Sequence, residues 1–130
     1  MIHWRRDKST SLLVPEMAQL VAAIDGVIVK HEMPFALFET WRSPERQAEL
    51  VTLGYSWDIK GPHTEGKAAD YVARINDEWT WKPIRLYVSF GNLVKHYLGN
   101  KIQWGGDWKL TKGRKRKDYC HFELPNWKEE

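Results

Sequence analysis

Three prolines, Pro15, Pro44 and Pro83, each head a stretch with helical character, and the segments between them are rich in aromatic and β-branched residues. Proline suits the first turn of a helix, where its missing N–H would have no partner and its fixed φ is already helical. The chain is thereby constrained to three helices interrupted by strands. Met17, Leu20, Val21 and Ile24 recur at helical spacing after Pro15, and Gly26 closes that helix. Ser43 is a natural N-cap ahead of Pro44, for a helix that runs through Leu53 and stops at Gly54. Pro83 opens the third, with Ile84, Tyr87, Val88, Leu93, Val94 and Tyr97, although Gly91 inside it costs about 1 kcal/mol relative to Ala. Phe35 to Trp41, Ala68 to Ile75, Lys101 to Trp104 and Tyr119 to Leu124 read as strands, the last two joined by a Gly105-Gly106 turn and a basic stretch. Residues 55–64 read as a loop that delivers His63 to the second strand. Strands that need not be parallel, mixed with helices, give an α+β class: a small single domain over residues 1–130, with a central, mostly antiparallel sheet and flanking helices.

At 130 residues the chain can withdraw roughly two-thirds of its unfolded surface from water, so one core is expected. A composition 42% hydrophobic and 28% charged excludes a disordered tail. No run approaches the roughly 18 uncharged apolar residues of a spanning helix, and no apolar segment follows the basic residues at the start. The expectation is a soluble protein with neither membrane anchor nor export signal. The lone Cys120 rules out an intramolecular disulfide and a cysteine-rich zinc site. The net charge of +3 is mild, but Lys109, Lys112, Arg114, Lys115, Arg116 and Lys117 crowd into one stretch. That stretch reads either as a solvated loop or as a patch for an anionic polymer, wall or nucleic acid. Of the eight tryptophans, most are expected in the core and rim and a minority along a groove.

Two of the five histidines have carboxylates at spacings suited to sharing a metal ion: His63, with Asp70 seven residues on, and His121, within Asp118-Tyr119-Cys120-His121-Phe122-Glu123. Two imidazoles and one carboxylate form a ligand set for catalytic zinc that leaves a position open for water. Gly66 permits a tight turn, and Ala68, on the strand face of Asp70, keeps bulk away. Strand alternation puts Glu123 on the face of His121 and Asp118 on the opposite one, which favours Glu123 as general base unless the strand begins after Asp118. Alternation also turns Cys120 away from the metal, as a small core residue. His3, His31 and His96 have no partners at an informative spacing and read as structural or surface residues. Arg42 sits at a strand-to-helix corner, where functional side chains are often displayed.

Taken together, His63-x-x-Gly66-x-Ala68-x-Asp70 and Asp118-x-x-His121-Phe122-Glu123 resemble the zinc-dependent D-Ala-D-Ala carboxypeptidase and L-alanyl-D-glutamate peptidase family. Trp104-Gly105-Gly106-Asp107-Trp108 is similar to its bacteriophage endolysin branch, whose members cut peptidoglycan stem peptides, and the Thr40-Trp41-Arg42-Ser43 corner matches as well. The resemblance spans about residues 35 to 125. It implies a Zn²⁺ site at one end of the sheet with His63, Asp70 and His121 as ligands. It also implies Asp118 as the catalytic carboxylate and Arg42 as anchor for a substrate carboxylate. Both carboxylates have a place if Asp118 lies in the loop entering the strand and Glu123 orients a group around the metal. Gly61 stands where the family usually has serine, and the basic Thr111 to Lys117 segment is longer than the family pattern, implying a cation-rich flap beside the cleft.

The implied activity is hydrolysis of the L-Ala–D-Glu bond of the peptidoglycan stem peptide by a phage-type endolysin. Such a protein waits in the host cytoplasm until released to the wall, and is expected to act as a monomer with no membrane or nucleic-acid partner. A D-Ala-D-Ala carboxypeptidase would use the same metal machinery, with a cleft closed at one end. A zinc-bearing wall-binding module without catalysis is a further alternative. Against it stands the presence of Asp118 beside all three ligands, since a structural zinc site normally fills its fourth position with a protein ligand.

Overall fold

Chain order in the protein, described by a computed structural model over residues 6–54, 61–114 and 116–128, alternates helices and strands as the proline pattern requires. The elements are α1 (Pro15–His31), β1 (Phe35–Glu39), α2 (Pro44–Thr52), β2 (Ala68–Ile75), β3 (Glu78–Thr80), α3 (Ile84–Leu98), β4 (Gln103–Trp104) and β5 (His121–Glu123). Short 3₁₀ turns at Gly99–Lys101 and Gly105–Asp107 flank β4. The strands form one antiparallel sheet in the order β1-β2-β5-β4, with β3 also paired to β2. No helix among the described residues is long and apolar enough to cross a membrane.

Ser43 caps α2 as its chemistry dictates, its Oγ accepting from Arg46 N at 3.0 Å, and β2 has the bounds its alternation predicts. Other boundaries differ from expectation. α1 continues through Gly26 because Val27 extends the buried stripe of Met17, Leu20, Val21 and Ile24. It ends instead at Glu32, which adopts the left-handed conformation (φ 51°) usual after a helix C-terminus. β1 stops at Glu39, two residues short of Trp41, after a register irregularity between Leu37 and Glu39. β4 and β5 are likewise shorter than the segments that suggested them. β3 was not expected at all. It returns from β2 through Asn76 and Asp77, both at positive φ (52° and 64°), the backbone of a two-residue hairpin turn.

One face of the sheet carries Phe35, Leu37, Ala69, Tyr71, Ala73 and Phe122, which pack with α1 and α3 into the hydrophobic core. Phe35 stacks on Phe90 at 4.1 Å and meets Tyr87 edge-on at 4.9 Å. The Tyr87 hydroxyl accepts from Ala73 N at 3.0 Å and donates to Thr80 O, tying α3 to β2 and β3. Gly91 owes its place in α3 to Trp104, since a Cβ there would lie 2.3 Å from the indole, itself only 4% exposed. An Ala at an ordinary helix interior gains about 1 kcal/mol over Gly, but overpacking a closed core costs about 1–3 kcal/mol. Gly91→Ala should therefore lower the denaturant midpoint rather than raise it, and a more stable variant would show that Trp104 gives way easily.

Candidate active site

The chemistry-bearing side chains gather on the opposite face of the sheet, in a cleft that α2 borders with Gln47 and Leu50. Glu39 of β1, Asp70 of β2 and His121 of β5 are direct cross-strand partners in one row, and Ala68 lies opposite Glu123 in the next. Period-two alternation places all of these on the face away from the core. His63 reaches the row from a loop that the 40–42 corner grips at three points. Arg42 N donates to His63 O at 3.1 Å, Trp41 Nε1 donates to Thr64 O at 3.1 Å, and Thr40 O receives His63 Nδ1 at 2.7 Å. Thr40 is fixed in turn, its N–H and hydroxyl bonded to Asp7 O at 2.9 and 3.1 Å. Gly66 closes the loop at φ +70°, where a Cβ would stand 2.4 Å from Leu12 O.

These partners decide what the imidazoles can offer. A carbonyl only accepts, so His63 carries its proton on Nδ1 and presents the Nε2 lone pair. His121 Nε2 lies 2.7 Å from Glu123 Oε1, which leaves Nδ1 as its lone pair. Both lone pairs face Asp70 Oδ1, at 3.2 and 3.1 Å. Three buried or half-buried acceptors thus converge on one point, all within 4.8 Å of one another. With neutral rings, that arrangement is repulsive unless a cation stands among them.

Asp118 lies in the loop before β5, its carboxylate within 4.8 Å of Asp70 and the Cys120 thiol. Gly105 makes this approach possible, because a Cβ there would meet Asp118 O at 2.1 Å. Burial and the Asp70 charge push the Asp118 carboxyl up, against smaller opposing effects of His121, Cys120 and His63. Cys120 does not face away as alternation suggested. The strand begins only at His121, and the thiol donates to Asp118 Oδ1 at 3.1 Å. Burial and the Asp118 charge keep that thiol protonated. For Asp70, burial is outweighed by His63 and His121, which hold its carboxyl well below the usual range.

Burial alone would lower the pKa of His121, but hydrogen bonds to Asp70 and Glu123 and the charges of Asp70 and Asp118 lift it to about 10 in the metal-free chain. A group raised in the folded state stabilises the fold below its unfolded pKa, about 6.5 for His, and that stabilisation is lost as pH rises through the folded value. Chelator-treated protein should therefore lose stability as pH climbs from 6.5 toward 10. A urea midpoint that is flat across this window would contradict the arrangement.

The row floors a cleft of about 430 Å³, with Arg42, Trp81, Trp108, Arg114, Arg116 and Lys117 among its walls. The basic segment thus borders the site, with Lys115 outside the described residues. Arg42 gives Nε at 2.9 Å and one terminal nitrogen to Glu39 Oε1, and its other terminal nitrogen to Gln47 Oε1 at 2.8 Å. Trp108 packs against the His121 ring at 5.1 Å. Thr64 Oγ1 bonds the backbone of Gly61 at N (3.3 Å) and O (2.8 Å), which ties the start of this loop to the residue after His63. His31 is exposed and bonds Tyr97 at 2.6 Å, and His96 also packs on Tyr97, both far in sequence from this cluster, while His3 lies outside the described residues.

Comparison with known proteins agrees with this geometry. No curated protein sequence matches the chain. Its fold is similar to the crystal structure of the Serratia marcescens L-Ala D-Glu endopeptidase ChiX, at 26% identity and a TM-score of 0.71 over 93% of this chain and 86% of that one. The family model described as phage L-alanyl-D-glutamate peptidase matches residues 5–124, a span that includes the row, the corner and the basic segment. By that match the chain belongs to the phage L-alanyl-D-glutamate peptidase family, and it is a peptidase.

Proposed function

We propose that the chain hydrolyses the L-Ala–D-Glu bond of peptidoglycan stem peptides with one zinc ion held by His63, Asp70 and His121, and with Asp118 as the proton carrier. The observation that carries this reading is the convergence of His63 Nε2, Asp70 Oδ1 and His121 Nδ1 while both imidazole N–H groups are committed elsewhere. Two nitrogen donors and one carboxylate oxygen fit zinc with a position left for water. When bound, zinc supplies Lewis-acid polarisation of the scissile carbonyl and lowers the pKa of water toward about 7.

The remaining work belongs to the protein's own groups. Thr40 O and Glu123 hold the two rings in the tautomers that aim lone pairs at Asp70, the kind of support that fixes ligand orientation. Asp118, its carboxyl raised by burial and the neighbouring Asp70 charge, takes a proton from the attacking water and returns it to the departing amine. The Cys120 thiol, kept neutral, steadies Asp118 by donating to Oδ1. Trp108 covers one side of His121 and limits water around it. We further propose that the protein is held in the host cytoplasm until it reaches the wall.

Digestion of purified peptidoglycan, with product ends identified by mass spectrometry, tests the reading. Zinc-loaded protein should generate new D-Glu amino ends and L-Ala carboxyl ends, and chelation should stop it. Release of terminal D-Ala instead would make it a carboxypeptidase, and an undigested wall would favour a binding module.

A further inference from the structure

We propose that Arg114, from the basic segment, is the specificity residue that receives the free carboxylate of the glutamyl unit on the leaving side of the scissile bond. The inference rests on the L-Ala–D-Glu reading of the cleft. A glutamyl residue has two carboxyl groups, and only one continues a chain. Cleavage on its amino side therefore brings a second, unamidated carboxylate only a few bonds from the scissile nitrogen. That charge must be met in a cleft whose floor is built from Glu39, Asp70, Asp118 and Glu123. Unpaired, it would be repelled by them.

Arg114 is placed to meet it. Its guanidinium carbon lies 4.1 Å over the Trp108 ring, and that ring is the one packed on His121. The cation is thus one indole away from a proposed metal ligand. Its backbone is braced, with Thr111 N bonded to Arg114 O at 2.8 Å and Arg114 N bonded to Thr111 Oγ1 at 3.1 Å. Stacking occupies the face of the guanidinium and leaves its edge donors, the ones suited to a two-point grip on a carboxylate. Among the described residues no carboxylate pairs with it, whereas Arg42 is bonded to Glu39 and Gln47, and Lys95 to Asp107 at 2.8 Å. Arg114 also lines a second groove of about 810 Å³, which shares Trp108 and Glu123 with the first. A chain continuing past the glutamyl unit has somewhere to go.

The test compares two synthetic stem peptides, one with the free glutamyl carboxylate and one with that group as its carboxamide, cleaved by zinc-loaded full-length protein. Wild type should favour the carboxylate by about 10–100-fold in kcat/KM, the scale of a charge-assisted hydrogen bond. In Arg114→Gln the ratio should fall to near one, chiefly through KM, and Arg114→Lys should restore part of it. Lys112→Gln removes the same charge from the exposed tip and should keep the ratio, which separates a specific contact from general attraction to the basic segment. As a readout apart from turnover, titration with the glutamyl product followed by tryptophan fluorescence should show about tenfold weaker binding to Arg114→Gln. A ratio that survives in Arg114→Gln, that collapses only in Arg42→Gln, or that is absent in wild type overturns the assignment. Failure of wild type to cut either peptide would instead refute the L-Ala–D-Glu reading itself, an outcome distinct from cleavage with an unchanged ratio.

Discussion

Asp118→Asn should leave zinc bound near one equivalent and lower kcat by about 10²–10⁴-fold, the range that a positioned proton carrier contributes. The substitution keeps shape and the contact with Cys120 while removing basicity, so the fold has little reason to change. The expectation separates Asp118 from Glu123, the other carboxylate of the motif. Glu123 Oε1 lies 2.7 Å from His121 Nε2 and is only 6% exposed, so it is occupied in orienting the ring. Asp118 lies before the strand, beside Asp70, with its carboxyl raised by burial. Metal analysis alongside single-turnover hydrolysis decides between them. A brisk Asp118→Asn enzyme would transfer the proton-carrying role to Glu123.

His63→Ala should lose both metal and activity. The side chain supplies one of three converging donors, and two donors bind zinc far more weakly. Because metal binds the folded state, zinc at 100 times its Kd should stabilise wild type by about 2.7 kcal/mol, or roughly 10 °C in Tm for a domain of this size. In His63→Ala that increment should vanish. The variant should also be less stable without metal, since His63 is buried and its Nδ1 bonds Thr40 O. Calorimetry with and without zinc gives both quantities. An equal zinc-induced rise in the variant would remove His63 from the ligand set.

What the sequence made legible follows from how local the physics is. β2 keeps its anticipated ends because alternation and flanking turns act over neighbouring residues, and Ser43 caps α2 through a bond three residues long. Gly91 looked like a defect in α3 because its reason, the Trp104 indole, comes from another element. Cys120 was misplaced because alternation was applied to residues that form a turn. The donor trio was readable as side-chain types at a spacing, whereas the atom orienting His63 is the Thr40 carbonyl, and a backbone oxygen has no sequence signature. Arg42 was visible as a corner residue, but its pairing with Glu39 depends on the register irregularity that turns Glu39 toward Asp70. A two-residue hairpin at Asn76-Asp77 was the missed signal that sequence did contain.

Because α1 and α3 pack on the side of the sheet that bears Phe35, Tyr71 and Phe122, while Asp70, His121 and Glu123 project from the other, the main hydrophobic core and the reactive groups draw on separate sets of residues. Libraries that diversify the rim around Arg114, Arg116 and Lys117 can therefore carry several changes at once while the hydrophobic interior still assembles. Retargeting toward differently amidated cell walls becomes a matter of rewriting one exposed segment on an otherwise constant chassis.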